Sequence, residues 1–258
     1  MKNGSGIAAR PILRFLLAGF GFVGAAWGGW MFPGFVRGST IETVASRIIM
    51  LEPYRLEPLK TVLAFNEVVV PSGLCRPSNA RAAAILQIKA AETVMETGSG
   101  EEIDHEQREL SNGLARALGC APADPYLMLA MFWQRNVTAG FGAASLAFLN
   151  MSYKLGPNEA WVGFRRNRLA VALLPDVPPD TAEKILTEFA GLVRSHLYTE
   201  TIDIYRSADT ETRKKLLARL STIDEVSRRA FMSYLRSYDL DPPDMRPPDS
   251  ELRPWQRR

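Results

Sequence analysis

Histidine and cysteine are nearly missing from this chain: two of each stand among 258 residues. That excludes a structural zinc site built from Cys and His. Common enzyme signatures are missing too. There is no Walker motif, no GxSxG and no HExxH, so no phosphate cradle, nucleophile elbow or zincin helix is encoded. A dinucleotide-like spacing, Gly19-x-Gly21-x-x-Gly24, falls inside an apolar run. It lacks the preceding strand and following acidic residue that such a site needs. Strand signals are almost absent, which points to an all-α chain. The net charge is only +3, and part of it sits in the last few residues, so it gives no basis for nucleic-acid binding. Nothing here calls for a cofactor or a metal.

What the chain does have is one long uncharged stretch. Residues 15–36 read FLLAGFGFVGAAWGGWMFPGFV, without Asn or Gln, behind Lys2, Arg10 and Arg14. At a rise of about 1.5 Å per residue, such a run crosses a hydrocarbon core of roughly 30 Å. Positive charge stays on the cytoplasmic side, and Trp27 and Trp30 lie at the far end, where interfacial aromatics belong. The expectation is a cytoplasmic n-region over 1–14 and an uncleaved transmembrane helix over 15–36, ended by Pro33 and Gly34. That places a single-pass protein in a bacterial inner membrane with its main domain in the periplasm. A cleaved signal peptide would have a shorter apolar core and a small-x-small site. A buried core helix is the third reading. Gly24 and Gly28 form a GxxxG spacing that lets two such helices approach closely, although glycine is also simply frequent in them.

The region 39–238 reads as one all-α domain. Ser39-Thr-Ile-Glu42 and Asp180-Thr-Ala-Glu183 have the form of capping boxes. Helical periodicity predicts helices over 78–95 and 101–119, paired as a hairpin between glycines at 98 and 100. Ile185, Phe189, Leu192 and Val193 form the inward face of a later helix, and Ser221-Thr-Ile-Asp224 is expected to cap the last one, which runs to about Tyr238. Five of the 17 prolines fall after residue 240, so 239–258 is expected to be a disordered Pro-rich tail. Cys75 precedes the 78–119 hairpin and Cys120 follows it. In an oxidising compartment the two can pair and tie its open ends; otherwise they are two buried thiols.

An internal repeat lies further on. LARALGCAPADPYLML (114–129) aligns with LNMSYKLGPNEAWVGF (149–164) at an offset of 35, matching Pro122 with Pro157, Asp124 with Glu159 and Tyr126 with Trp161. Each copy is a helix end, a Pro turn and a helix opening on an aromatic. Over 101–196 this arrangement resembles tetratricopeptide (TPR) repeats, whose period is about 34 residues. The phrases CAPADPYLML and SYKLGPNEAWVGFRRNRLA are also similar to uncharacterised membrane-anchored proteins of alphaproteobacteria. The resemblance implies antiparallel TPR-like helical hairpins behind a membrane anchor, as in some exopolysaccharide assembly components.

Chemistry-bearing residues are few. His105 and His196 have no nucleophile tied to them by spacing. The run Glu101, Glu102, Asp104, Glu106 and Glu109 suits a helix start. Arg165, Arg166 and Arg168 are the candidate partner-binding residues, facing a protein partner or an acidic glycan; the alternative is that they pack and pair locally. Trp133, Trp161, Tyr126 and Phe164 are expected in the core. These features suggest a periplasmic, membrane-tethered scaffold or protein-interaction module of an envelope or polysaccharide-assembly complex, and not an enzyme. The alternatives are an accessory subunit held by its Gly-rich helix, and an enzyme acting on envelope glycans through carboxylates such as Glu159 or Glu188.

Overall fold

The computed structural model describes residues 6–50, 52–69 and 75–240, with side chains at 13–30, 32, 39–50, 52–66 and 75–240. Every regular element among them is helical. The chain divides into two compact units, Met1–Pro122 and Ala123–Arg258. The stretch 39–238, expected to share one core, therefore contains a boundary.

In the first unit α1 (Gly6–Ile49), α2 (Leu56–Val69) and α4 (Gly100–Cys120) pack on α3 (Pro77–Thr97). α3 is alanine-rich, and its buried Ala82, Ala84, Ala90 and Ala91 let neighbouring helices approach. Ile41, Leu59, Leu86, Leu110 and Leu114 fill the core between them. Ser99 caps α4 in a full capping box with Glu102, which satisfies two of the orphan amides of the first turn. Glu106 is buried at the α2–α4 contact and pairs with Lys60 at 3.0 Å. The expected α3–α4 hairpin is present. Its open end is closed by a Cys75–Cys120 disulfide, with Cα atoms 5.3 Å apart.

The amino-terminal region differs from its reading in sequence. α1 is continuous over 44 residues. It begins within the expected n-region, passes through Pro33 and absorbs Ser39–Glu42, which therefore cap nothing. A proline removes one backbone hydrogen bond, and the bonds on either side can carry a long helix past it. The Thr43 hydroxyl donates to the Ser39 carbonyl at 2.7 Å, a contact inside a helix rather than at its start. The transmembrane expectation is not supported: among the described residues no helix is long and apolar enough to cross a membrane. An added Cβ at Gly24 or Gly28 would meet nothing within 4 Å, so among the described residues no element packs on that spacing. The predicted tail from 241 onward lies outside the described residues.

The second unit begins with two helix pairs. α5 (Pro125–Ala139) packs on α6 (Ala143–Leu155), and α7 (Ala160–Val171) packs on α8 (Pro179–Arg194). α5 also touches α7. Gly140, at φ +80°, makes the turn that joins α5 to α6, a conformation glycine adopts without steric cost. α9 (Tyr198–Ser207), α10 (Thr210–Arg219) and α11 (Glu225–Ser237) complete the unit, all three against α8. Ile185, Phe189, Leu192 and Val193 are buried as their spacing predicts, and Phe189 meets Phe231 edge-on at 5.9 Å. The predicted box at Asp180–Glu183 does not form. α8 starts one residue earlier, at Pro179, where a fixed φ suits the first helical position. Thr181 is buried and donates to Asn150 Oδ1 at 3.1 Å.

Candidate functional site

The two sequence copies in this region end in unlike turns. Asp124 caps α5 by accepting from the Tyr126 and Leu127 amides at 2.9 and 3.1 Å. Its counterpart Glu159 precedes α7 without a side-chain cap. The second turn is held instead by Arg166, one α7 turn beyond Val162 on the buried face. Its guanidinium donates from Nη1 to the Ser152 carbonyl at 2.7 Å and to Ser152 Oγ at 3.0 Å, and from Nη2 to the Gly156 carbonyl at 3.0 Å. These groups close α6, where orphan carbonyls and the helix dipole favour a cation. Ser152 Oγ in turn donates to the Pro125 carbonyl at 2.8 Å, so one cation ties α7 to the end of α6 and the start of α5.

The charge of Arg166 is met from α8. Glu188 accepts from Arg166 Nε at 3.0 Å through Oε1 and at 3.4 Å through Oε2, and Nη2 also bonds Oε1. Arg166 is completely buried and the Glu188 side chain is 10% exposed. Tyr153 covers the guanidinium with its ring, 4.2 Å from centroid to Cζ, a cation–π contact strengthened by exclusion of water. Gly163 makes room for the carboxylate: a Cβ there would stand 3.1 Å from Glu188 Oε1. Burial pushes the Glu188 carboxyl above its ordinary range, against the opposing pull of Arg166. Burial also holds the Tyr153 phenol well above its ordinary range, and the Glu188 charge adds to that. The Tyr153 hydroxyl is buried and faces Glu188, whose charged form it favours.

Tyr153 and Glu188 of this cluster line a cleft of about 840 Å³ between α6, α7 and α8. Gly163 and Gly191 line it too, and Asn150, Asn158, Thr187 and Ser195 stand among its polar residues. Comparison of the chain with family models, with curated proteins and with solved structures finds no match. The cleft is therefore read from its own chemistry.

The three arginines do not converge. Arg166 is internal, so it cannot serve as a surface contact. Arg165 is half-buried, donates to the Trp161 carbonyl at 3.1 Å and lies over the Phe164 ring. Arg168 is exposed. Tyr126 is buried and stacks on half-buried Trp161, while Trp133 and Phe164 are also half-buried. Glu159 and Glu188 do share the cleft, but the latter is engaged by Arg166. Among the described residues no three His, Cys, Asp or Glu side chains gather as metal ligands.

His105 is exposed on α4. His196 has φ +62° and closes α8: its amide reaches Val193 O at 3.0 Å and the Leu197 amide reaches Leu192 O at 3.2 Å. That is a Schellman end, in which a left-handed residue follows the last helical turn.

Sequence reasoning missed Arg166 as an internal residue. The signal was present: Val162, Arg166 and Ala170 recur at helical spacing, which puts the arginine on the stripe of α7 that is buried.

Proposed function

We infer that the chain is a membrane-tethered scaffold of the bacterial envelope, whose helical hairpins hold a protein partner of an envelope or polysaccharide-assembly complex. The observation that carries this reading is the surface of α1. Phe15, Leu16, Leu17, Phe20, Phe22, Val23, Trp27, Trp30 and Phe32 are each more than 60% exposed. They occur at every angle around the helix, so no single groove would cover them. A helix apolar on all sides is stable in a surrounding apolar medium, and the uncharged run continues in sequence to Val36. The disulfide supports export, because such bonds persist in oxidising compartments. Two successive helix pairs, with α5 against α7, support a TPR-like array, in which stacked hairpins present a binding surface.

The test is membrane partition. The full chain should sediment with membranes and resist alkaline carbonate, and a chain lacking residues 1–36 should not. Release of the full chain by carbonate would overturn the tether. Open space at Gly24 and Gly28 favours a second reading, an accessory subunit docked through this helix. Under it, Gly24→Leu/Gly28→Leu should abolish co-purification of the partner while membrane partition stays intact.

A further inference from the structure

We propose that the exposed aromatic stripe of α11 is a docking surface for a proline-rich segment, and that its occupant is residues 242–248 of this same chain. This goes beyond the tethered scaffold and does not depend on the tether.

Three observations lead there. The first is the stripe itself. Phe231 and Leu235 bury the inner face of α11. Val226, Ala230, Tyr234 and Tyr238 follow one another at a spacing of four along a different face. Val226 is 70%, Tyr234 43% and Tyr238 48% exposed. Tyr198 of α9 widens the stripe, its ring centroid 5.0 Å from that of Tyr234, and Arg206 lies over the Tyr238 ring at 5.5 Å. Aromatic surfaces of this kind are what polyproline segments dock on, because a chain already held extended loses little entropy on binding.

The second is where the chain goes next. Asp239, at φ +56°, ends α11. Its amide donates to the Arg236 carbonyl at 3.1 Å, and the Leu240 amide donates to the Leu235 carbonyl at 2.9 Å, a Schellman end. The second bond reaches back more than one turn, so half-buried Leu240 lies beside the last turn of α11 rather than on its axis. The sequence then reads DPPDMRPPDSE over 241–251. With three residues per turn of a polyproline helix, Pro242, Met245 and Pro248 share a face. Such a helix spans about 19 Å from Pro242 to Pro248, and the stripe spans about 18 Å from Tyr238 back to Val226.

The third is charge. Residues 241–251 hold four carboxylates against Arg246 alone, whereas α11 holds Arg228, Arg229 and Arg236 against Glu225 alone. Opposite net charges draw the segment to the helix, and the covalent link holds it there at an effective concentration on the order of millimolar.

The test places a photo-crosslinker at either end of the stripe in the full chain, held in detergent. The variants are Tyr234→p-benzoylphenylalanine and Val226→p-benzoylphenylalanine. Isotope-labelled and unlabelled chains are mixed, and products are mapped by mass spectrometry. The Tyr234 site should capture 243–245 and the Val226 site 247–249, both within one chain, and high salt should lower both yields. Pro242→Ser/Pro243→Ser/Pro247→Ser/Pro248→Ser alters no residue of α1–α11. It should lose the Val226 product with no change in melting temperature. Three results would overturn the proposal: no product with 241–251 at either site, the same spread of products along 241–258 from both sites, or a serine variant that crosslinks as the parent does. Products joining labelled to unlabelled chains would overturn it in favour of a second copy. Products with a co-purifying protein in place of 241–251 would give the stripe to a partner instead.

Discussion

Tyr126 stacks on Trp161 with ring centroids 5.2 Å apart and planes inclined by 27°. The two residues occupy the same position in the two sequence copies, at an offset of 35. The aromatic that opens α5 therefore packs against the aromatic that opens α7, and equivalent positions support one another. The turn of the second copy is fitted to the same place: a Cβ on Gly156 would come within 2.7 Å of the Pro125 ring.

Gly156→Ala should therefore destabilise the second unit, because neither the proline ring nor the Arg166-bonded turn can yield easily. A cost of about 1–3 kcal/mol is expected from overpacking of this kind. Gly191→Ala is the control: it lies within α8 with open space around it and should gain up to about 1 kcal/mol of helix propensity. Urea unfolding of both variants distinguishes them, and equal stability would contradict the close packing at Pro125.

Arg166→Met leaves Glu188 as an unpaired carboxylate in a buried place and strips two α6 carbonyls of their donor. Breaking one side of a buried pair costs about 3–5 kcal/mol. Arg166→Met/Glu188→Leu removes both charges and should recover most of that loss, as seen in denaturant midpoints. A double variant as weak as the single one would show that the carbonyl bonds, not the ion pair, dominate.

The Cys75–Cys120 bridge closes a loop with a sequence separation of 45. In the chain-entropy model that constraint is worth roughly 4 kcal/mol. Cys75→Ser/Cys120→Ser should lower the melting temperature of the first unit, and reductant should then change nothing further. Insensitivity of the parent chain to reductant and heat together would argue against a stabilising bridge.

Acid stability should depend on two helix caps. Asp209 is held below the ordinary aspartate value of 3.8 by the Thr212 hydroxyl, then by the Thr212 and Glu211 amides. Asp224 is held below it by the Ser227 amide, then by the Ser227 hydroxyl. A depressed carboxyl stabilises above its unfolded value, and that contribution disappears as pH falls through the folded value. Asp209→Asn/Asp224→Asn should therefore flatten the melting-temperature profile below pH 3.8. Glu188 acts in the opposite sense. Its raised carboxyl favours the fold most below the ordinary glutamate value of 4.5, and this contribution declines as pH rises through its folded value. An acid limb identical to that of the parent chain would remove the caps from this account.

Several features were legible without coordinates because they depend on neighbours in sequence. The helices, their inward faces at Ile185, Phe189 and Leu192 and the α3–α4 hairpin follow from periodicity and from turn residues at the right intervals, while the positions of Cys75 and Cys120 at the open end of that hairpin left pairing or two thiols as alternatives. The aromatic equivalence of Tyr126 and Trp161 was visible as a repeat. Local signals failed where two are compatible with one chain. A proline and a capping box at 33–42 read as an end and a start, yet one helix runs through both, since a proline removes one backbone hydrogen bond and the bonds on either side remain. The site was less legible still. An arginine in a row of three looks exposed, and only packing of α6 and α8 around α7 turned Arg166 inward to face Glu188 and Tyr153. The sequence determined which residues lie on a helix and on which stripe; the tertiary structure alone decided what each stripe meets, because desolvation and pairing of a buried charge depend on groups tens of residues away.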